Sequence, residues 1–206
     1  MFVKICGMTR VEDAMAAVDA GAGAIGFIFW PASPRFIDPH RARKIAAMLP
    51  PFVTAVGVFV NQPLDYVNGV SSLVRLGAVQ LHGDETPAFA AAVTSPVIKA
   101  MSLGAGDVQA WPAEVRVLLD VHDPVVRGGT GRTIDWTAAA DVAAQRQILL
   151  AGGLTPDNVA DAVARVRPFG IDVSSGVERA PGIKDHRRLQ ALFEAVHDAG
   201  HITTRS

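Results

Sequence analysis

Short apolar runs alternate with longer amphipathic ones along the whole chain. The runs predict strands near Phe2–Cys6, Ala24–Phe29, Thr54–Val60, Ala78–His82, Val97–Met101, Val115–Asp120, Gln147–Ala151 and Gly170–Ser174. Several are β-branched and apolar on both faces, as in parallel strands covered on both sides. Helical periodicity fills the gaps, with identifiable start signals. Thr9 and Glu12 have the spacing of a capping box ahead of an Ala-rich stretch. Asp38-Pro39, Thr86-Pro87 and Thr155-Pro156 each place a cap residue before a proline suited to the first helical position. Asp135 is placed to cap a helix that begins at Trp136. A last helix is predicted from about Asp185 to Ala199, with Leu189, Leu192, Phe193 and Val196 on one face.

Eight strand–helix units predict an α/β fold, a single-domain (βα)8 TIM barrel of the phosphate-binding type over residues 1–206. The length sits at the short end for that fold, so few insertions fit. An open doubly wound sheet is the alternative. Such sheets usually carry a Gly-rich turn after the first strand, and Cys6-Gly7-Met8-Thr9 is no dinucleotide fingerprint. The stretch from His122 to Thr133 is the one long Gly-rich loop, and long loops inside compact barrels are more often functional than not.

Composition narrows the class. Half of the 206 residues are hydrophobic and 19% are charged, which supplies a sizeable core and excludes a disordered chain. The net charge of −1 gives no global basic field for nucleic acid or an anionic membrane. One cysteine excludes an internal disulfide and a thiolate-rich zinc site. The longest apolar stretch, about Gly21 to Pro31, falls short of the ~20 residues that span a bilayer, and the N-terminus has no signal-peptide run. The expectation is a soluble cytoplasmic protein with a small-molecule ligand. No protein interface is legible in the sequence.

In such a barrel the chemistry sits where strands end and βα loops begin. Cys6 ends the first strand, followed by Gly7, which permits a tight turn. It is either a small buried hydrophobe or a base. Lys4, two residues back on the same face and about 7 Å away along the strand, would favour the thiolate. Asp120 ends the sixth strand. It either caps the following loop or, in a partly apolar mouth, suits a general acid. The ends of strands seven and eight carry Gly152, Gly153, Ser174, Ser175 and Gly176. Barrels often bind phosphate with those two loops and a helix N-terminus. Glycines let backbone N–H groups approach an oxyanion, and serines add hydroxyl donors. Gly128, Gly129 and Gly131 form either a second phosphate loop or a lid. Arg35, after Ser33-Pro34, can reach into the mouth and hold a carboxylate through its guanidinium fork, or be a solvated loop residue. His82 ends the fourth strand, as a substrate donor or a partner for a loop carbonyl. His40, His122, His186, His197 and His201 show no metal-ligand spacing, so no metal is predicted.

These residues lie in a wider set. It includes Lys4-Ile5-Cys6-Gly7, Ser33-Pro34-Arg35, Gln80-Leu81-His82-Gly83, Leu119-Asp120, Gly128-Gly129-Thr130-Gly131, Ala151-Gly152-Gly153 and Asp172-Val173-Ser174-Ser175-Gly176-Val177-Glu178, closed by Pro181-Gly182 and Lys184-Asp185. In that combination the sequence resembles the phosphoribosylanthranilate isomerase family of tryptophan synthesis, from end to end. Arg132 and Ile134 are small departures, where the family more often has Lys and Phe. The resemblance implies the Amadori rearrangement of N-(5-phosphoribosyl)anthranilate without metal or organic cofactor. It implies Cys6 as general base, Asp120 as general acid, Arg35 on the anthranilate carboxylate and the last two loops on the phosphate. Asp172 would lie near the phosphate end, on a ribose hydroxyl or the loop. A related isomerase of histidine synthesis would carry Asp in place of Cys6. A non-catalytic phosphosugar-binding barrel would need neither Cys6 nor Asp120.

Overall fold

The computed structural model describes residues 1–104, 106–120 and 136–202, with side chains to residue 199. Eight strands form its centre: β1 (Phe2–Ile5), β2 (Ala24–Ile28), β3 (Thr54–Phe59), β4 (Ala78–Leu81), β5 (Val97–Ser102), β6 (Arg116–Asp120), β7 (Ile148–Ala151) and β8 (Gly170–Val173). They are parallel and paired in chain order, and β8 returns to β1 with Asp172 opposite Lys4, closing the barrel as expected. Around it lie α1 (Val11–Asp19), α2 (Pro39–Ala46), α3 (Leu64–Val74), α4 (Pro87–Ala92), α5 (Trp136–Gln145), α6 (Val159–Val166) and α7 (His186–Ile202).

The period-two geometry of a strand divides the core in two. One set, including Ile5, Phe27, Phe59, Leu81, Leu119 and Ile171, packs in the layer shared with the helices. The alternate positions Ala24, Val56, Ala78, Ile98, Ala100, Leu118, Leu149 and Ala151 form a separate apolar cluster. This second cluster fills the lumen, so the barrel is a packed core and not a pore. Both strand faces are therefore apolar, as the sequence pattern indicates. Fully burying one of the large aliphatic or aromatic side chains contributes about 1.5–3 kcal/mol.

Four local expectations are corrected. Between Ser102 and Arg116 the eighth helix is missing, and Val108–Ala110 makes one 3-10 turn instead. Gly104, Gly106 and Pro112 in that segment disfavour a longer helix. Thr9 does not cap α1, whose N-cap is Arg10 without a side-chain bond. The Thr9 hydroxyl donates instead to the Gly182 carbonyl at 2.6 Å. Helix α6 begins after Asn158, so Thr155-Pro156 sits in the turn before it. Finally, a small antiparallel hairpin, β9 (Glu178–Ala180) and β10 (Ile183–Lys184), follows β8 and was not foreseen. Its tip is Pro181-Gly182, with Gly182 at φ +76°. Asp38 and Thr86 cap α2 and α4 as expected, and Asp185 accepts from Arg187 N and Arg188 N at the start of α7. Asp135 lies outside the described residues.

Candidate active site

The C-terminal ends of the strands surround a cavity of about 280 Å³. Cys6, Arg35, His82, Asp120, Gly152, Gly153, Asp172, Ser174, Ser175 and Gly176 all line it. Every candidate within the described residues is thus brought to one mouth. Gly128, Gly129 and Gly131 lie outside the described residues. A larger hollow of about 850 Å³ opens beside Met1, Gly21 and Phe193, away from these groups. Convergent polar side chains, and not volume, single out the mouth.

Cys6 sits one residue beyond β1, held by its N–H to the Val173 carbonyl at 2.8 Å. Gly7, at φ +80°, turns the chain out of the barrel. On the neighbouring strand β2, Gly26 leaves the space that Cys6 and Lys4 fill. A Cβ there would lie 2.8 Å from the Cys6 sulfur and 3.2 Å from Lys4 Nζ. Lys4 is fully buried and donates to Asp172 Oδ1 at 2.8 Å. Burial alone would depress Lys4, but the ion pair with Asp172 and the adjacent Cys6 outweigh it and raise its pKa. For Cys6 the balance differs from the sequence expectation. Burial pushes the thiol up, and Asp172 adds to the rise. Lys4 and Lys184 pull the other way without prevailing. The resting group near neutral pH is the thiol, because desolvation of the thiolate exceeds the attraction of two nearby ammonium groups.

Arg35 lines the mouth with its guanidinium held from behind. Nε donates to both Glu178 carboxylate oxygens at 3.0 Å, and Nη2 to Oε2 at 2.7 Å. Glu178 also accepts from Lys184 Nζ at 2.8 Å. Burial alone would raise Glu178, yet its hydrogen bonds to Arg35 and Lys184 hold it below the usual carboxylate range. Lys184 donates further to the carbonyls of Cys6 at 2.6 Å and Ser174 at 3.0 Å. Burial lowers the pKa of Lys184 despite its ion pair with Glu178. The unforeseen hairpin thus ties together the loops bearing Cys6, Arg35 and Ser174. Glu178 and Lys184 belong to the quoted motifs, but no role was read for either.

His82 lies one residue past β4. Its Nδ1 is 2.8 Å from Gln80 Nε2. Burial lowers its pKa, with Asp120 and Asp172 opposing the shift, so the ring is neutral. The Gln80 amide nitrogen faces Nδ1, an arrangement that directs the ring proton to Nε2 and leaves Gln80 Oε1 buried without a hydrogen-bond partner. Sequence reasoning missed Gln80, although its spacing of two residues from His82 puts both on one face of the strand.

At the opposite rim, Gly152 and Gly153 have φ +100° and +64°. Two consecutive residues in that conformation are open to glycine and strained for others. Gly176 presses against the Leu154 carbonyl, and any side chain there would collide with it. This seats the loop after β8 on the loop after β7. The Ser174 hydroxyl donates to the Cys6 carbonyl at 3.2 Å. Among the described residues, no cluster of three or more His, Cys, Asp or Glu could hold a metal ion. No described helix is long and apolar enough to cross a membrane.

Comparison with known proteins agrees with this geometry. The family model described as N-(5'phosphoribosyl)anthranilate (PRA) isomerase matches residues 3–195. The N-(5'-phosphoribosyl)anthranilate isomerase of Pseudomonas fluorescens is 50% identical over 198 residues, 94% of this chain and 97% of its own. The crystal structure of phosphoribosyl anthranilate isomerase from Thermotoga maritima aligns with a TM-score of 0.86 and 42% identity, over 96% of this chain and 99% of the other. A further structure, of such an isomerase in complex with reduced 1-(o-carboxyphenylamino)-1-deoxyribulose 5-phosphate, aligns with a TM-score of 0.83 and 40% identity over 96% and 99%. Sequence and fold agree over nearly the whole length, and the chain belongs to the N-(5'-phosphoribosyl)anthranilate isomerase family.

Proposed function

We propose that this protein converts N-(5'-phosphoribosyl)anthranilate into 1-(2-carboxyphenylamino)-1-deoxyribulose 5-phosphate, a step of tryptophan biosynthesis, by general acid–base catalysis. The observation that carries the mechanism is the convergence of Cys6 and Asp120, from strands on different sides of the barrel, on one small cavity. A family relative that binds a reduced form of the product supports the choice of ligand.

Asp120 donates a proton to the furanose ring oxygen. The C1–O bond breaks as the anilino nitrogen lone pair forms the C1=N iminium. Cys6 first releases its own proton to solvent, the thiolate so formed takes the proton from C2, and that electron pair closes an enol-amine. Its tautomerisation protonates C1 and leaves a ketone at C2. C2 is oxidised as C1 is reduced within one molecule, so no external electron carrier enters. Arg35 holds the anthranilate carboxylate with the guanidinium edge turned away from Glu178. Backbone N–H groups of the loops around Gly152, Gly153, Ser175 and Gly176 take the phosphate. His82 donates from Nε2 to a ribose oxygen.

Turnover of the phosphoribosyl substrate by the purified protein tests the assignment. One positioned acid or base contributes about 10²–10⁴-fold. Cys6→Ala and Asp120→Asn are each expected to lose that much kcat with little change in KM. Tight substrate binding without turnover in the unaltered protein would leave a phosphosugar-binding barrel instead.

A further inference from the structure

Lys4, which is buried, and Asp172, half-buried at the edge of the cavity, form an ion pair to which the proposed reaction gives no catalytic step. They face each other across the β1–β8 seam, where the barrel closes. Lys4 Nζ is wholly shielded from solvent, and one of its partners is Asp172 Oδ1 at 2.8 Å. The Cys6 sulfur lies beside the same ammonium, since both groups border the single Cβ position of Gly26, the sulfur at 2.8 Å from it and Nζ at 3.2 Å. Gly26 holds this arrangement open, since a Cβ there would press on both the sulfur and Nζ.

We propose that Lys4 is a positioning residue that supplies the counter-charge for the thiolate of Cys6, with Asp172 holding the ammonium in place while Cys6 is protonated. This deepens the reading of Cys6 as base and rests on it. A thiolate formed in the mouth enters a site where burial opposes negative charge. An ammonium already desolvated and held beside the sulfur offsets part of that cost, since no water must be displaced when the thiol ionises. The remaining charges around Cys6 are accounted for. Lys184, from β10, favours the thiolate, and its donors are fixed on the Cys6 and Ser174 carbonyls and Glu178. Arg35, from the loop after β2, is engaged by Glu178. His82 and Asp120 line the opposite wall. Lys4 is the ammonium that shares with the sulfur the space left by Gly26.

Cys6 is the only cysteine in the chain, so alkylation by iodoacetamide reports on this thiol without substrate. The alkylation rate against pH is measured for the wild type, Lys4→Met and Lys4→Met/Asp172→Asn. The double variant is included because the single one leaves Asp172 half-buried without a counter-ion and strains the fold. Lys4→Met is expected to alkylate at least about tenfold more slowly at pH 8, with the midpoint displaced upward by about one pH unit or more, and the double variant shifts in the same direction by less, because loss of Asp172 removes a charge that opposes the thiolate. The ascending limb of kcat against pH should move with it, so that activity partly recovers at high pH. An unchanged alkylation profile in a folded double variant, or a loss of kcat equal at every pH, overturns the inference. Because alkylation needs no turnover, such a failure is distinct from failure of the base assignment, which an active Cys6→Ala enzyme would reveal.

Discussion

Arg35 meets Glu178 through one edge of its guanidinium, Nε to both carboxylate oxygens and Nη2 to one of them. The planar group that would present its other edge to a substrate carboxylate is therefore fixed by a buried acid before any substrate arrives. A side chain with little rotamer freedom left has little ordering cost to meet on binding.

Replacing Arg35 by Ala should raise KM about ten- to a hundred-fold, with a smaller effect on kcat. A charge-assisted contact contributes about 1.5–3 kcal/mol, or about one to two decades in affinity. Arg35→Lys should recover little, because a point charge cannot engage Glu178 and the substrate together in the same plane. Steady-state kinetics on both variants check this, and an unchanged KM would remove Arg35 from the site.

Inorganic sulfate or phosphate should compete with substrate at the loops after β7 and β8. Gly153→Val should weaken that inhibition by about tenfold or more, since a β-branched residue cannot adopt φ +64° without strain. No atom lies within 4 Å of a Cβ built at Gly153, so backbone conformation, and not a clash, is the operative constraint. Sulfate inhibition that survives the change intact would place the phosphate elsewhere.

Stability should fall in acid through Glu178. An unperturbed glutamate titrates near ~4.3, and the folded protein holds Glu178 below its ordinary range. The unfolded chain therefore binds the proton first as pH drops. The contribution of Glu178 is fully present above the unfolded value and disappears as pH falls through the folded one. Thermal melts of Glu178→Gln should show a lower Tm than wild type at pH 7 and a shallower loss below about pH 4.5. A variant whose Tm follows the wild-type pH dependence would exclude Glu178 from the acid response.

Gln80→Met should disturb His82 more than the barrel. It removes the donor to Nδ1 while keeping nearly the same volume in a buried position. One hydrogen bond contributes about 0.5–1.5 kcal/mol, so kcat/KM should fall by roughly two- to tenfold. Nitrogen chemical shifts of the imidazole should show a mixed tautomer population. A pure Nε2–H form in the variant would mean that Gln80 does not set the tautomer.

The barrel was legible because burial on both faces leaves a simple mark, the uninterrupted apolar strand. Its strand ends then located Cys6, His82, Asp120, Asp172 and the paired glycines without any knowledge of distance. What failed was local inference where a distant partner decides. Thr9 has the spacing of a cap, yet Gly182 takes its hydroxyl. Thr155-Pro156 looks like a helix start, yet the Asn158 side chain accepts from Thr155 N and Asn158 becomes the N-cap. The hairpin strands at Glu178–Ala180 and Ile183–Lys184 are too short to show a period, although Pro181-Gly182 is a turn signal. The roles of Glu178 and Lys184 depend on Arg35 and Cys6, far away in sequence. Even the resting state of Cys6 turned on how deeply Lys4 and the thiol are buried, which spacing along a strand does not encode.

The seam between β1 and β8 also sets when the protein can begin to work. Lys4 and Asp172 are 168 positions apart, and Cys6 and Lys184 are 178 apart. During synthesis Cys6 emerges long before β8 and the hairpin that complete its surroundings. A nascent chain lacking β8 and the hairpin has Cys6 but no Asp172 opposite Lys4, no grip on Arg35 and no second anion loop. The costly long-range closure is thus the same event as assembly of the proposed active site. A chain arrested before β8 has an open sheet with an unmatched β1 edge, and one arrested between β8 and Lys184 lacks the hairpin tie to the Cys6 and Ser174 loops.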